Sequence, residues 1–129
     1  QPAQPDRRGS ASGLDRRTGQ RLVRGKFTID DRIDLHGMTQ NEALRALTGF
    51  LKQAAGNDLR CVLVITGKGT MRENENDFMP DQSVGVLRRS FPGWLSNPGI
   101  SNLVVAFHNA KPKDGGEGAF YVLLRRRRA

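Results

Sequence analysis

The chain has 129 residues, 36% of them hydrophobic and 26% charged, which is enough for one domain with a modest core and too little for two. Its formal net charge is +8, from 21 basic and 13 acidic residues, and its single cysteine, Cys61, excludes an internal disulfide framework. No apolar run approaches the roughly 18 residues that a membrane-spanning helix needs, so no membrane partner is expected.

Residues 1–27 read as a basic, largely disordered arm, with seven Arg or Lys against two acidic residues. Within it, residues 1–13 are rich in Pro, Gly, Ser and Arg without periodicity. Residues 14–26 (LDRRTGQRLVRGK) have sparse apolar positions and predict an irregular arm or a short helix. No apolar signal segment is present, and a start at Gln1 rather than Met fits a fragment or a processed form. The folded domain is expected over 28–125, with 126–129 a basic tail. Residues 28–124 hold ten basic and eleven acidic residues, and residues 125–128 add four arginines. The positive charge therefore sits at the two ends of a neutral body. Such arms suit a polyanion, above all nucleic acid; the plain alternative is solubility or contact without specificity.

Inside the domain, residues 31–35 (DRIDL) predict a short strand ending at His36-Gly37. Thr39 with Glu42 three positions on forms a capping box. Apolar residues at Ala43, Leu44, Leu47, Phe50, Leu51, Ala54 and Ala55 then predict an amphipathic helix ending at Gly56-Asn57. Residues 59–65 (LRCVLVI) are almost continuously apolar and predict a central strand buried on both faces, with Cys61 packed as a small hydrophobe. A buried thiol fits a reducing, cytoplasmic setting.

Residues 70–80 are a polar loop, and Asp81 or Ser83 is placed to cap a second helix through about Phe91. Pro92-Gly93 is expected to break that helix, and Asn97-Pro98-Gly99 to form a turn. Residues 100–107 contain a strand (LVVAF), residues 109–118 a glycine-rich loop, and residues 119–124 (AFYVLL) the last strand. The order β-α-β-α-β-β predicts a two-layer α/β sandwich.

Three constellations carry chemistry. Asp34 and His36, two apart on a strand, share one face, and a carboxylate beside an imidazole orients it and raises its basicity. That suits acid–base work or metal ligation, or simply a capped loop. Gly67-Lys68-Gly69 follows the buried strand. Its glycines let amides turn toward an anion and Lys68 offers a point charge, although the spacing is neither a Walker A loop nor a dinucleotide fingerprint and a plain turn also fits. Both groups lie at carboxyl ends of predicted strands, where ligands bind open α/β sheets, so they converge if those strands are parallel neighbours. Gly116 and Gly118, with Lys111 and Lys113, read as a hairpin loop that can also flank a backbone-binding groove. His108 reads as a surface or core-edge histidine, and Trp94 and Tyr121 as core residues rather than base-stacking platforms. One Cys and two His at unrelated spacings make no zinc site.

IDLHG at 33–37, TGKG at 66–69 and GGEGAFYVLL at 115–124, in that order, resemble the Smr (small MutS-related) domain family, as stand-alone bacterial members have it, over roughly residues 30–125. The resemblance implies a four-stranded mixed sheet with two helices, similar to the C-terminal domain of translation initiation factor 3. It implies binding of DNA or RNA and, as in several members, endonuclease activity. It assigns cleavage to Asp34 and His36 and nucleic-acid contact to Gly67, Lys68 and Gly69. The second motif often begins with His in the family, where this chain has Thr66, and no family motif includes His108.

The expectation is therefore an endonuclease, with His36 as acid or base, Asp34 orienting it, and Lys68 with the loop amides facing the charged phosphorane. RNA brings its own 2′-OH as nucleophile, whereas DNA needs activated water and a divalent ion, Mg²⁺ or Mn²⁺. The alternative is a non-catalytic nucleic-acid-binding or ribosome-associated module. A monomer is expected.

Overall fold

The structure is a computed structural model that describes residues 16–67 and 85–125. Its elements in chain order are α1 (Arg16–Val23), β1 (Asp31–Asp34), α2 (Gln40–Gly56), β2 (Cys61–Ile65), α3 (Val86–Trp94), α4 (Pro98–Ser101), β3 (Val104–Asn109) and β4 (Ala119–Leu124). Two 3₁₀ turns, Pro112–Asp114 and Gly116–Gly118, lie between β3 and β4. The strands form one mixed sheet in the order β1-β2-β4-β3. β1 and β2 are parallel, with Asp34 opposite Ile65, while β4 runs antiparallel to both β2 and β3. The carboxyl ends of β1 and β2 and the start of β4 therefore share one edge of the sheet.

The central strands are buried on both faces because their sequences are apolar at every position. Val62, Val64, Phe120, Val122 and Leu124 face α2, α3 and α4, which contribute Leu47, Leu51, Phe91, Trp94 and Ile100. Phe91 stacks on Phe120 with centroids 4.2 Å apart, and both rings meet Phe107 edge-on. Cys61, Leu63, Tyr121 and Leu123 face the other way, onto Leu22 of α1 and onto Phe27 and Ile29. Burial pushes the Cys61 thiol up to about 11, as its core position requires.

The expected capping box is present: Thr39 Oγ1 accepts from the Glu42 amide at 3.2 Å and Glu42 Oε1 from the Thr39 amide at 3.0 Å. The structure departs from the sequence reading in several places. The sandwich has more than two helices and a second covered face, because a sheet apolar on both sides needs cover on both. α1, within the stretch read as an irregular arm or short helix, supplies it, and Arg21 lies 4.4 Å over the Phe27 ring. α3 passes Pro92 and Gly93 and ends at Trp94. A proline there removes one amide, and burial of the Leu87–Phe91–Trp94 stripe outweighs that loss. The expected caps Asp81 and Ser83 lie outside the described residues. The expected turn at 97–99 becomes α4, with Pro98 at its first position. β3 begins at Val104, just after Leu103, and runs on to Asn109, where its pairing with β4 carries it past the end of the apolar run.

β2 is two residues shorter than its apolar run. The Arg60 amide donates instead to the Asp30 carboxylate at 2.8 Å, which also takes the amide of Cys61 at the strand's start at 3.2 Å, and the Arg60 side chain donates to the Leu124 carbonyl.

Candidate functional site

Asp34 ends β1, and the chain then turns through His36 and Gly37, whose φ of +87° is a glycine conformation. One carboxylate oxygen, Asp34 Oδ1, accepts from the His36 backbone amide at 3.0 Å and meets His36 Nδ1 at 2.9 Å. The side chains of the pair are 66% (His36) and 52% (Asp34) exposed, so a large ligand has access to them. Burial works to raise the Asp34 carboxyl; the hydrogen bonds from the His36 ring and amide, with its charge, together outweigh that and hold it below the ordinary value. With Nδ1–H given to Asp34, proton exchange falls to Nε2.

The second motif meets the first. Thr66 is buried, and Gly67 has φ +83°. A Cβ on Gly67 would lie 3.2 Å from the His36 Cβ, so the absence of a side chain lets the two turns touch. The third motif meets the second: the Gly118 carbonyl accepts from the amides of Thr66 at 2.9 Å and Gly67 at 3.0 Å, with Thr66 Oγ1 at 3.4 Å. The Gly67 amide is thus used by the fold rather than turned to an anion. Lys68 and Gly69 lie outside the described residues.

The loop bearing Lys111, Lys113, Gly116 and Gly118 is held by its own hydrogen bonds. Tyr121 Oη accepts from the Lys111 amide at 3.1 Å and donates to Asp114 Oδ2 at 2.6 Å. Lys113 Nζ reaches the same carboxylate at 3.4 Å, and the Gly116 amide donates to the Lys111 carbonyl. The Tyr121 hydrogen bond, ahead of opposing burial and helped by Lys113 and Arg32, holds the Asp114 carboxyl below its ordinary range. Lys111 and Lys113 are exposed. Gly118 touches Gly67 directly, whereas the two lysines lie farther along the loop, beside the Tyr121 hydroxyl.

One ion pair at this edge has no signature in the sequence. Arg88, in the first turn of α3, donates to Glu117 Oε1 at 3.1 Å across 29 positions. His108 is exposed and its Nδ1 pairs with the Asn109 carbonyl, while Trp94 and Tyr121 are core residues. Asp34 and His36 offer two donors to a metal, and no group of three or more His, Cys, Asp or Glu converges among the described residues. Nor is any helix among them long and apolar enough to cross a membrane.

The Smr domain family model matches residues 33–125. The chain is 35% identical over 106 residues to a protein of Vibrio vulnificus named ribosome rescue factor SmrB, covering 81% of this chain and 50% of that protein. A protein of the same name from Shewanella oneidensis is 32% identical over 124 residues, covering 95% and 60%. The chain thus spans only about half of these relatives' length. Among solved structures, YdaL, a stand-alone small MutS-related protein from Escherichia coli, superposes with a TM-score of 0.67 at 30% identity, covering 91% of this chain and 81% of YdaL. The Smr domain of Thermus thermophilus MutS2 superposes with a TM-score of 0.57 at 29% identity, covering 74% and 98%.

Proposed function

We propose that this chain, which belongs to the Smr domain family, is a nucleic-acid-binding module that works at the ribosome, with RNA as its ligand. The observation that carries the ribosomal part is the relatives named ribosome rescue factor, matched across 81% and 95% of this chain. The basic ends support a polyanionic partner, and a ribosomal role places the protein in the cytoplasm. Sedimentation of the full chain with purified ribosomes tests it. Migration with the particles, weakening steeply as salt is raised, is the expected result; a protein that stays at the top of the gradient at low salt contradicts it.

A second reading, that the bound RNA is cut, is favoured by one observation: the exposed Asp34–His36 pair at 2.9 Å. In that reaction His36 Nε2 takes the proton of the attacking 2′-OH or returns one to the leaving oxygen. Asp34 fixes the ring's tautomer and stabilises the imidazolium as it forms. Lys68 supplies charge to the phosphorane, and Gly67 lets His36 sit against the second motif. Labelled single- and double-stranded RNA and DNA, each with EDTA, Mg²⁺ or Mn²⁺, test this reading. Cleavage of RNA that falls at least about 100-fold in Asp34→Asn and in His36→Gln, with RNA binding kept, is expected. Binding without cleavage in the wild type leaves the binding module alone.

A further inference from the structure

Arg88 lies outside the three motifs, yet its partner Glu117 belongs to the third and links it to the other two. Glu117 sits in the 3₁₀ turn Gly116–Gly118, the Gly118 carbonyl holds the amides of Thr66 and Gly67, and Gly67 abuts His36. The Arg88 guanidinium is therefore tied, through one short run of contacts, to the edge that bears Asp34 and His36. Its side chain is 32% exposed, so it is partly packed and held in place, whereas Glu117 is 79% exposed. An exposed ion pair of this kind contributes little in water, and a competing anion exchanges it at little cost. Glu117 takes a single N–H donor from the guanidinium, at 3.1 Å, whereas a phosphate with two oxygens turned to it can take two in parallel.

We propose that Arg88 is a phosphate-binding residue for RNA lying across the Asp34–His36 edge, and that Glu117 is its resting partner, displaced when a backbone phosphate arrives. The proposal rests on the RNA-binding reading above. Glu117 keeps the guanidinium oriented in the free protein. It also opposes anions that bring too little charge to displace it, and so favours a polyanion. The other acidic group on the same loop, Asp114, is already engaged by Tyr121 and Lys113 and does not compete for Arg88.

The test is equilibrium binding of a labelled single-stranded RNA to the full chain across a salt series, for wild type, Arg88→Gln, Arg88→Lys, Glu117→Gln and the Arg88→Gln/Glu117→Gln double variant. Arg88→Gln is expected to weaken binding about fivefold and to reduce the slope of log K against log salt by about 0.7, the value for one phosphate contact on a single strand. Arg88→Lys keeps the slope and weakens binding less. Glu117→Gln is expected to tighten binding about threefold, and that gain disappears in the double variant. A gain that persists without Arg88 is a long-range charge effect and overturns the proposal. So does an unchanged slope in Arg88→Gln while the wild type binds RNA. A wild type that binds no RNA overturns the RNA-binding reading itself, and the proposal with it. All variants are expected to keep the wild-type melting temperature within about 2 °C, because the pair contributes little to stability.

Discussion

Replacing Gly67 by alanine adds one methyl group at the point where two motifs touch. Two costs follow. A non-glycine residue at φ +83° pays a backbone penalty of about 1–2 kcal/mol. The new Cβ also lies 3.2 Å from the His36 Cβ, so the His36 turn must give by a few tenths of an ångström. Because the His36 side chain is 66% exposed, that shift is cheap in stability but moves a ring held by a 2.9 Å bond to Asp34. Gly116→Ala is the control: its φ is +57°, and a Cβ there meets nothing within 4 Å. Both variants are expected to lose about 1–2 kcal/mol, a fall of about 4–7 °C in melting temperature for a chain of this size. Only Gly67→Ala is expected to shift the His36 imidazole resonances in a ¹H–¹⁵N spectrum. Equal His36 shifts in the two variants, or none in Gly67→Ala, would refute the contact argument.

Tyr121→Phe removes the bond to Asp114 and the acceptor for the Lys111 amide, and should cost about 1–2 kcal/mol near neutral pH. The Asp114 carboxyl is lowered from 3.8 and the Tyr121 hydroxyl raised from 10.0, the latter by burial first and then by Asp114. The wild-type advantage is therefore full between about pH 4 and pH 10. It shrinks as acid protonates Asp114 below that window and as base ionises Tyr121 above it, which urea unfolding across pH checks; an advantage that is flat into acid contradicts the bond. Phe91→Ala opens the stacked cluster with Phe120 and Phe107 and should cost about 3–5 kcal/mol by urea denaturation. A loss under about 1 kcal/mol would mean that the cluster does not hold α3 on the sheet.

The elements that depend on local pattern were legible. α2 follows from its 3–4 spacing and its Thr39–Glu42 box, and β2 and β4 from apolar runs with no polar face. The convergence of Asp34–His36 with Gly67 follows from the parallel pairing of β1 and β2, which the strand-end rule anticipates. What was not legible depends on distant partners. α1 offers a single buried anchor, Leu22, beside Arg16, Arg17 and Arg21, so only the uncovered face formed by Leu63 and Tyr121 explains why it docks there. α3 continues past Pro92 because Phe91 and Trp94 pack on the sheet. The Gly118 carbonyl as joint acceptor for Thr66 and Gly67, and Glu117 as the partner of Arg88, join residues far apart in the chain and leave no periodic trace.

Ultraviolet cross-linking of RNA to the full chain, followed by mapping of the linked peptides, tests the central claim most directly. The expected cross-links fall on the peptides that contain residues 34–37, 66–67 and 116–118, at the shared edge of the sheet. Cross-links confined to residues 1–27 and 125–128, with none at that edge, would contradict the account and leave the basic ends as the whole of the RNA-binding surface.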